Sequence, residues 1–449
     1  MSRAIVACGD SDVNRYRVTQ LASHEYFLPM DFRRNNLDRA ASPYLRQHQE
    51  NPVWWQEWNE ATLDHAREND KVLLVSVGYS TCHWCHVMAR EAFSDPECAA
   101  ILNEHFVSIK VDREQRPDID RYLMSFLVAT TGSGGWPLNA FLTPGGDPFY
   151  AMTYASTEAR LQTPAFSDIL RQVAEFYQQR KGDIQPFELT PKHSAVSDAA
   201  RAMNSDGPDA LETPEEPIMA IIDPADDAEI AAHGAALEKV FDRGFGGFGR
   251  SQKFPPHSTL LFMLYAASAS GNTSLLEMAT QTLDSMMTRG LHDHLQGGFF
   301  RYTVDRNWTI PHFEKMLCDQ ALLLWNYALA SRVTGNHGYR ETATGVVRCL
   351  EETFKIGDLY AAAHDADTNH KEGATYLWRL SEIEELLNEN ERESFLRVFD
   401  VTKDGNFERR NHLIRRMPPG YEHDPAVPPH RRPDSAALAS AMAKLLEAR

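Results

Sequence analysis

Two cysteines three residues apart, Cys82 and Cys85, enclose His83 and Trp84 and are followed at once by His86. A cysteine attacks only as thiolate. At a strand-to-helix junction it meets unpaired backbone N–H groups and the positive end of the helix dipole, which lower its pKa. The spacing puts the second thiol one helical turn from the first, close enough to resolve a mixed disulfide and release product. In this chemistry Cys82 is the nucleophile and Cys85 the resolver, while a cationic His83 steadies the thiolate and makes the couple more oxidising. Two other readings use the same residues. Cys82 to His86 spells the attachment pattern of c-type haem, and Cys82, Cys85 and His86 could supply three zinc ligands. Haem attachment calls for export, of which the sequence carries no signal, and no second CxxC or HxxxH completes a closed zinc site nearby. The dithiol is therefore the preferred reading, with no cofactor expected, zinc kept as an alternative and haem set aside.

The elements that must position these thiols follow from periodicity. Asn59 to Asn69 has helical spacing of Ala61, Leu63 and Ala66, and Lys71 to Val77 is a compact β-branched run that predicts a buried strand. Cys82 comes after a short turn. Met88, Ala89, Ala92 and Phe93 continue on a helix, and Ser94-Asp95-Pro96 supplies the cap and first-turn proline of the next. A second strand is expected over Phe106 to Val111, with Asp112 at its end a structural residue, and a helix over Asp118 to about Thr130. A third strand over Leu138 to Leu142 turns at Thr143-Pro144-Gly145-Gly146 into a hairpin with Pro148 to Tyr150, and Pro164 to Gln179 closes the unit as a helix. This is the order of a thioredoxin-like α/β domain. In such a domain Trp136-Pro137 stands where a cis-proline beside the dithiol shapes the groove for an extended thiol substrate.

The whole chain sets wider bounds. Its 449 residues exceed what one core usually supports, so two domains are expected. With 45 basic against 63 acidic residues the formal net charge is -18, which disfavours nucleic acid and anionic membranes. No run of 18 apolar residues occurs and six scattered cysteines make no disulfide framework; together these predict a cytoplasmic protein. Residues 181–227 shift towards Pro, Asp, Glu, Ser and Ala and read as a linker. Beyond it, amphipathic helices are expected at Ala228 to Arg243, His257 to Ser270, Thr273 to Arg289, Lys315 to Thr334 and Gly338 to Phe354. Two loops between or after them are rich in chemistry, Gln296 to Phe313 and Ala361 to Trp378. His312, Glu314 and Asp319 form one polar cluster and His364, Asp365 and Asp367 another. A histidine and a carboxylate facing a sugar could move a proton at C2, and paired carboxylates could hydrolyse a glycoside. The competing role is to satisfy turns and helix ends. Asp365-x-Asp367-x-Asn369 begins like a calcium loop, but His370 and Tyr376 occupy the positions that need Gly and Glu, which excludes an EF-hand. Trp308, Phe299, Phe300 and Tyr302 could stack on a sugar, core packing being their commoner fate.

Several long blocks resemble one family, the thioredoxin-domain proteins related to spermatogenesis-associated protein 20. They include Ser42-Pro43-Tyr44-Leu45, Gly78-Tyr79-Ser80-Thr81-Cys82-His83-Trp84-Cys85-His86, Lys110-Val111-Asp112-Arg113-Glu114, Gly134-Gly135-Trp136-Pro137-Leu138-Asn139, Gly297-Gly298-Phe299-Phe300-Arg301-Tyr302, Pro311-His312-Phe313-Glu314-Lys315 and Asp365-Ala366-Asp367. The resemblance spans roughly residues 35 to 434. It implies a leader over 1–35, a thioredoxin-like domain over 36–180 and, after the linker, an all-α (α/α) toroid over 228–449 similar to six-hairpin glycosidases. Relatives continue with further hairpins, so an incomplete ring, or one completed by a second copy in a homodimer, is expected. Trp84, Trp136, Arg301, Tyr302, His312, Glu314, Asp319, His364, Asp365 and Asp367 are the candidate substrate-binding residues beside Cys82, Cys85, His83 and Pro137. The functional expectation is thiol-disulfide oxidoreduction on a thiol or disulfide protein or small molecule. A sugar isomerase or epimerase in the helical part and a non-catalytic partner-binding protein are the alternatives.

Overall fold

The computed structural model describes residues 31–159, 164–187, 227–419, 428 and 432–449. The expected leader lies outside the described residues as far as residue 30, and the expected linker lies outside them from 188 to 226.

Five strands make one sheet: β1 (Gln56–Glu57), β2 (Val72–Gly78), β3 (Phe106–Asp112), β4 (Leu138–Leu142) and β5 (Pro148–Met152), in the order β1-β3-β2-β4-β5. β3 runs parallel to β1 and β2, while β4 runs antiparallel to β2 and β5. β2 is buried along its whole length, as a strand covered on both faces must be. Its alternation sends Val72 and Leu74 into one core, with Trp55, Phe93, Phe141 and Phe166, and Leu73, Val75 and Val77 into the other, with Ile109, Leu123 and Leu127. The first core is closed by α1 (Pro43–Arg46), α3 (His83–Arg90), α4 (Pro96–His105) and α6 (Phe166–Arg180); the second by α2 (Glu60–Glu68) and α5 (Pro117–Thr131). Caps fix where these helices start: Ser42 Oγ accepts from Leu45 N, Asn59 Oδ1 from Thr62 N and Asp95 Oδ1 from Cys98 N. This is the expected thioredoxin-like fold. The short α1 and β1 precede the stretch where sequence periodicity begins.

Lys110 is the one lysine in β3 and is buried, donating to Ser76 Oγ at 2.9 Å across the β2/β3 ladder beneath Phe93 and Trp55. Burial pushes its pKa well down.

The second unit is built from helices, as expected of a toroid: α7 (Asp227–Val240), α8 (His257–Ser270), α9 (Thr273–Thr288), α10 (Leu317–Thr334), α11 (His337–Cys349), α12 (Leu380–Leu386), α13 (Glu389–Val398) and α14 (Ser435–Ala448). α8 packs on α9 and α10, α10 on α11, and α13 on α14. α10 starts two residues later than the pattern predicts. Lys315 and Met316 are instead a short strand paired with Ala363–His364, because the Lys315 ammonium is drawn inward to Asp293 Oδ2 at 2.7 Å. α11 stops at Cys349 and widens into a π turn over Leu350–Phe354. Phe299, Phe300 and Trp308 are fully buried in this unit's core, so they are packing residues and not a sugar platform.

Gly78 ends β2 directly beneath the thiols. A Cβ there would stand 2.2 Å from Tyr44 Oη and 2.7 Å from Cys85 Sγ, inside contact distance of both. Gly78→Ala is expected to lower the stability of the protein by about 1–3 kcal/mol through overpacking, read by chemical denaturation; an unchanged midpoint would show that this approach is not tight.

Candidate functional site

Cys82 caps α3 with its own sulfur: Cys82 Sγ accepts from Cys85 N at 3.2 Å, and Cys82 O accepts from His86 N at 3.1 Å. Cys82 and Cys85 are joined as a disulfide, both nearly inaccessible at 3 and 1 % exposure, whereas Trp84 between them is 47 % exposed. With the sulfurs bonded to each other, the zinc set of Cys82, Cys85 and His86 is not assembled; His86 Nε2 lies 3.5 Å from Asp365 Oδ2. Among the described residues no His, Cys, Asp and Glu side chains converge in a metal-holding group. The Trp136-Pro137 bond is cis and leads into β4 beside β2, in the place expected.

The dithiol faces the helical unit and not open solvent. Two short strands there, β6 (Tyr302–Thr303) and β7 (Pro311–His312), pair with each other and bring Arg301, Tyr302, His312 and Glu314 to the thioredoxin-like surface. Glu314 is fully buried at this seam. Its Oε2 accepts from Tyr79 Oη at 3.2 Å and its Oε1 from Thr81 Oγ1, while Arg301 Nη1 and His312 Nε2 each lie 3.7 Å from Oε2. Burial raises the Glu314 pKa, against the pull of Arg301 and His312.

A second set of contacts reaches His83. Its Nδ1 bonds Asp367 Oδ1 at 2.7 Å, and its Nε2 stands 3.8 Å from Glu372 Oε2; Glu372 Oε1 in turn bonds His312 Nδ1 at 2.7 Å. Burial alone would lower the His83 pKa. The hydrogen bond to Asp367 and the charges of Glu372 and Asp367 outweigh it, so the imidazole titrates above its ordinary 6.5. Asp367 responds the opposite way: burial opposes its ionisation, but His83 holds its pKa below 3.8.

Between the two units lies a cavity of about 550 Å³, lined by Cys82, His83, Trp84, Trp136 and Tyr154 on one side and by Phe254, Arg301, Tyr302 and His312 on the other. Trp84 packs on Tyr154 and Tyr302 on Phe254. The structure thus gathers Cys82, Cys85, His83, Pro137, Trp84, Trp136, Arg301, Tyr302, His312, Glu314 and Asp367 around one seam. It corrects three expectations. His364 stacks on Phe354 at 4.0 Å and bonds the Thr353 carbonyl through Nε2, so it serves the fold of its loop. Asp319 turns to His257 Nε2 at 3.0 Å, an element-to-element tie between α10 and α8. Asp365 belongs to the loop too, accepting from Asp367 N besides facing His86. Tyr79, Thr81 and Glu372 were not singled out from sequence. Thr81 adjoins Cys82, and Glu372 sits in the loop already marked as rich in chemistry.

A family profile described as "Thioredox_DsbH: Protein of unknown function, DUF255" matches residues 34–190. Human spermatogenesis-associated protein 20 is 37 % identical over 367 residues, covering 79 % of this chain and 45 % of that protein. The chain spans about half the length of the curated relatives it matches. Among solved structures, a DsbH oxidoreductase is 18 % identical with a TM-score of 0.22, covering 28 % of this chain and 86 % of that one. The cellobiose 2-epimerase of Spirochaeta thermophila is 20 % identical with a TM-score of 0.28, covering 31 and 39 %. Among the described residues no helix is long and apolar enough to cross a membrane.

The His83–Asp367 pair gives a pH signature. A raised histidine pKa stabilises fully below about 6.5 and loses that contribution as pH rises through the folded value; a lowered aspartate pKa stabilises above about 3.8 and loses it as pH falls through the folded value. Asp367→Asn is therefore expected to cost about 1 kcal/mol of unfolding free energy between pH 4 and 6.5, and less on either side. A difference that is flat with pH would remove the pair from the stability of the seam.

Proposed function

We infer that this chain, which belongs to the spermatogenesis-associated protein 20-like family, carries out thiol-disulfide exchange through Cys82 and Cys85 in the cleft between its two units. One observation carries the reading: the Cys82 sulfur is the N-cap of α3 and lines the cleft beside a histidine whose pKa Asp367 and Glu372 raise above its ordinary value. Helix N-terminus and imidazolium both favour thiolate over thiol. In the reduced protein the Cys82 thiolate attacks a substrate disulfide, and Cys85, one turn away and buried, then displaces the mixed disulfide and closes the bond. Pro137 borders the groove in which an extended substrate would lie. Asp112, at the end of β3, accepts from Ser42 Oγ and holds α1 against the sheet, a structural task.

The measurement is the pH dependence of alkylation of reduced Cys82. A midpoint well below about 8.5 is expected, moving up by about one unit in His83→Ala. A normal or raised midpoint in the parent protein would sink the reading.

A second reading rests on His312, whose ring lines the same cleft with Nδ1 tied to Glu372 and Nε2 facing Glu314. A histidine so flanked could transfer a proton at a sugar carbon. Turnover of an aldose that survives Cys82→Ala and disappears in His312→Ala would favour isomerase or epimerase chemistry; no turnover of any aldose tried would remove it.

A further inference from the structure

The geometry points to a low-molecular-weight disulfide bearing carboxylates as the substrate of the dithiol, with Arg301 as the residue that binds its anionic group. This inference rests on the thiol-disulfide reading and names what that site takes.

Arg301 lines the cavity that holds Cys82, and only 14 % of its side chain is exposed. Its guanidinium makes no hydrogen bond to any described residue. The nearest carboxylate, Glu314, stays 3.7 Å away because Tyr79 and Thr81 already hold both of its oxygens. The guanidinium instead rests over the rings of Tyr79, at 5.3 Å, and Trp136, at 5.8 Å. Arg113 approaches the same two rings from within the thioredoxin-like unit, at 5.3 and 4.1 Å, and its buried Nη1 also has no hydrogen-bond partner. A mostly buried guanidinium that lines a cleft with its fork of donors free of hydrogen bonds is a binding group for carboxylate, which it meets with two parallel bonds. Two cations thus flank Trp136, which leads through a cis bond into Pro137; of the two, Arg113 also stands 3.7 Å from Asp120 and Arg301 alone lines the cavity. The cavity's roughly 550 Å³ suits a molecule of short-peptide size. The cysteines are nearly inaccessible between two walls, which excludes a broad, flat protein surface.

The reaction balances without a further reagent. The Cys82 thiolate attacks one sulfur of R–S–S–R, forming Cys82–S–S–R and expelling RS⁻. The Cys85 thiolate then attacks the Cys82 sulfur, forming the Cys82–Cys85 disulfide and expelling the second RS⁻. The protein gives up two electrons and two thiol protons; the substrate takes both electrons and leaves as two thiols.

The test uses the reduced full chain and four oxidants: glutathione disulfide, which is anionic, cystamine, which is cationic, neutral hydroxyethyl disulfide, and insulin as a protein disulfide. Rates of Cys82–Cys85 oxidation are expected to be highest with glutathione disulfide. The ratio of its rate constant to that of the neutral disulfide should fall by about tenfold in Arg301→Gln, with Arg301→Lys retaining part of it. Equal rates across the three small disulfides, a ratio untouched by Arg301→Gln, or faster oxidation by insulin would overturn the inference while leaving the redox reading in place. Oxidation by none of the four would overturn both.

Discussion

A single buried carboxylate, Glu314, organises the meeting of the two units. An ionisable group with no exposed surface is costly unless its oxygens are engaged. Those of Glu314 are engaged by Tyr79 and Thr81, two residues of the turn that delivers Cys82 to α3. The helical unit therefore grips the thioredoxin-like unit by the loop that carries its thiols. Arg301 and His312 gather around the same carboxylate, which sets the far wall of the cleft, and Glu372 extends the network from His312 to His83.

This arrangement differs from a dithiol on an open surface. In an isolated domain, the helix terminus and the residue after the first cysteine would set the thiol's acidity. Here the residue after the first cysteine, His83, takes its partners from another folding unit, since Asp367 and Glu372 come from a loop beyond α11. Shape is shared in the same way. One wall offers Trp84, Trp136 and Tyr154, the other Phe254 and Tyr302, so neither unit alone forms the pocket.

The α/β unit was legible because its signals are local. A continuous apolar run makes β2, a Ser-Asp-Pro cap starts α4, and a CxxC after a strand places the thiols. In the second unit the first five helices were equally plain, and α8 and α9 begin where their periodicity begins, but α12, α13 and α14 were not anticipated. What sequence could not give were partners chosen by long-range packing. Asp319 and His364 have the right type and neighbourhood for the site, yet His257 and the Thr353 carbonyl claim them, contacts that no spacing rule encodes. Lys315 looks helical until Asp293 pulls it inward. Glu372 acquires meaning only once the loop around it folds back on α3.

The span between His83 and Asp367 has a consequence in time. The two are 284 residues apart, so a growing chain presents its thiols long before the carboxylate that bonds the neighbouring imidazole has been made. Until the helical unit is synthesised and docked, Cys82 has the helix terminus but not the imidazole held by Asp367, and it lacks the wall opposite. On the proposed redox role, the thiols would gain their full surroundings only once the loop carrying Asp367 has been made and packed against α3.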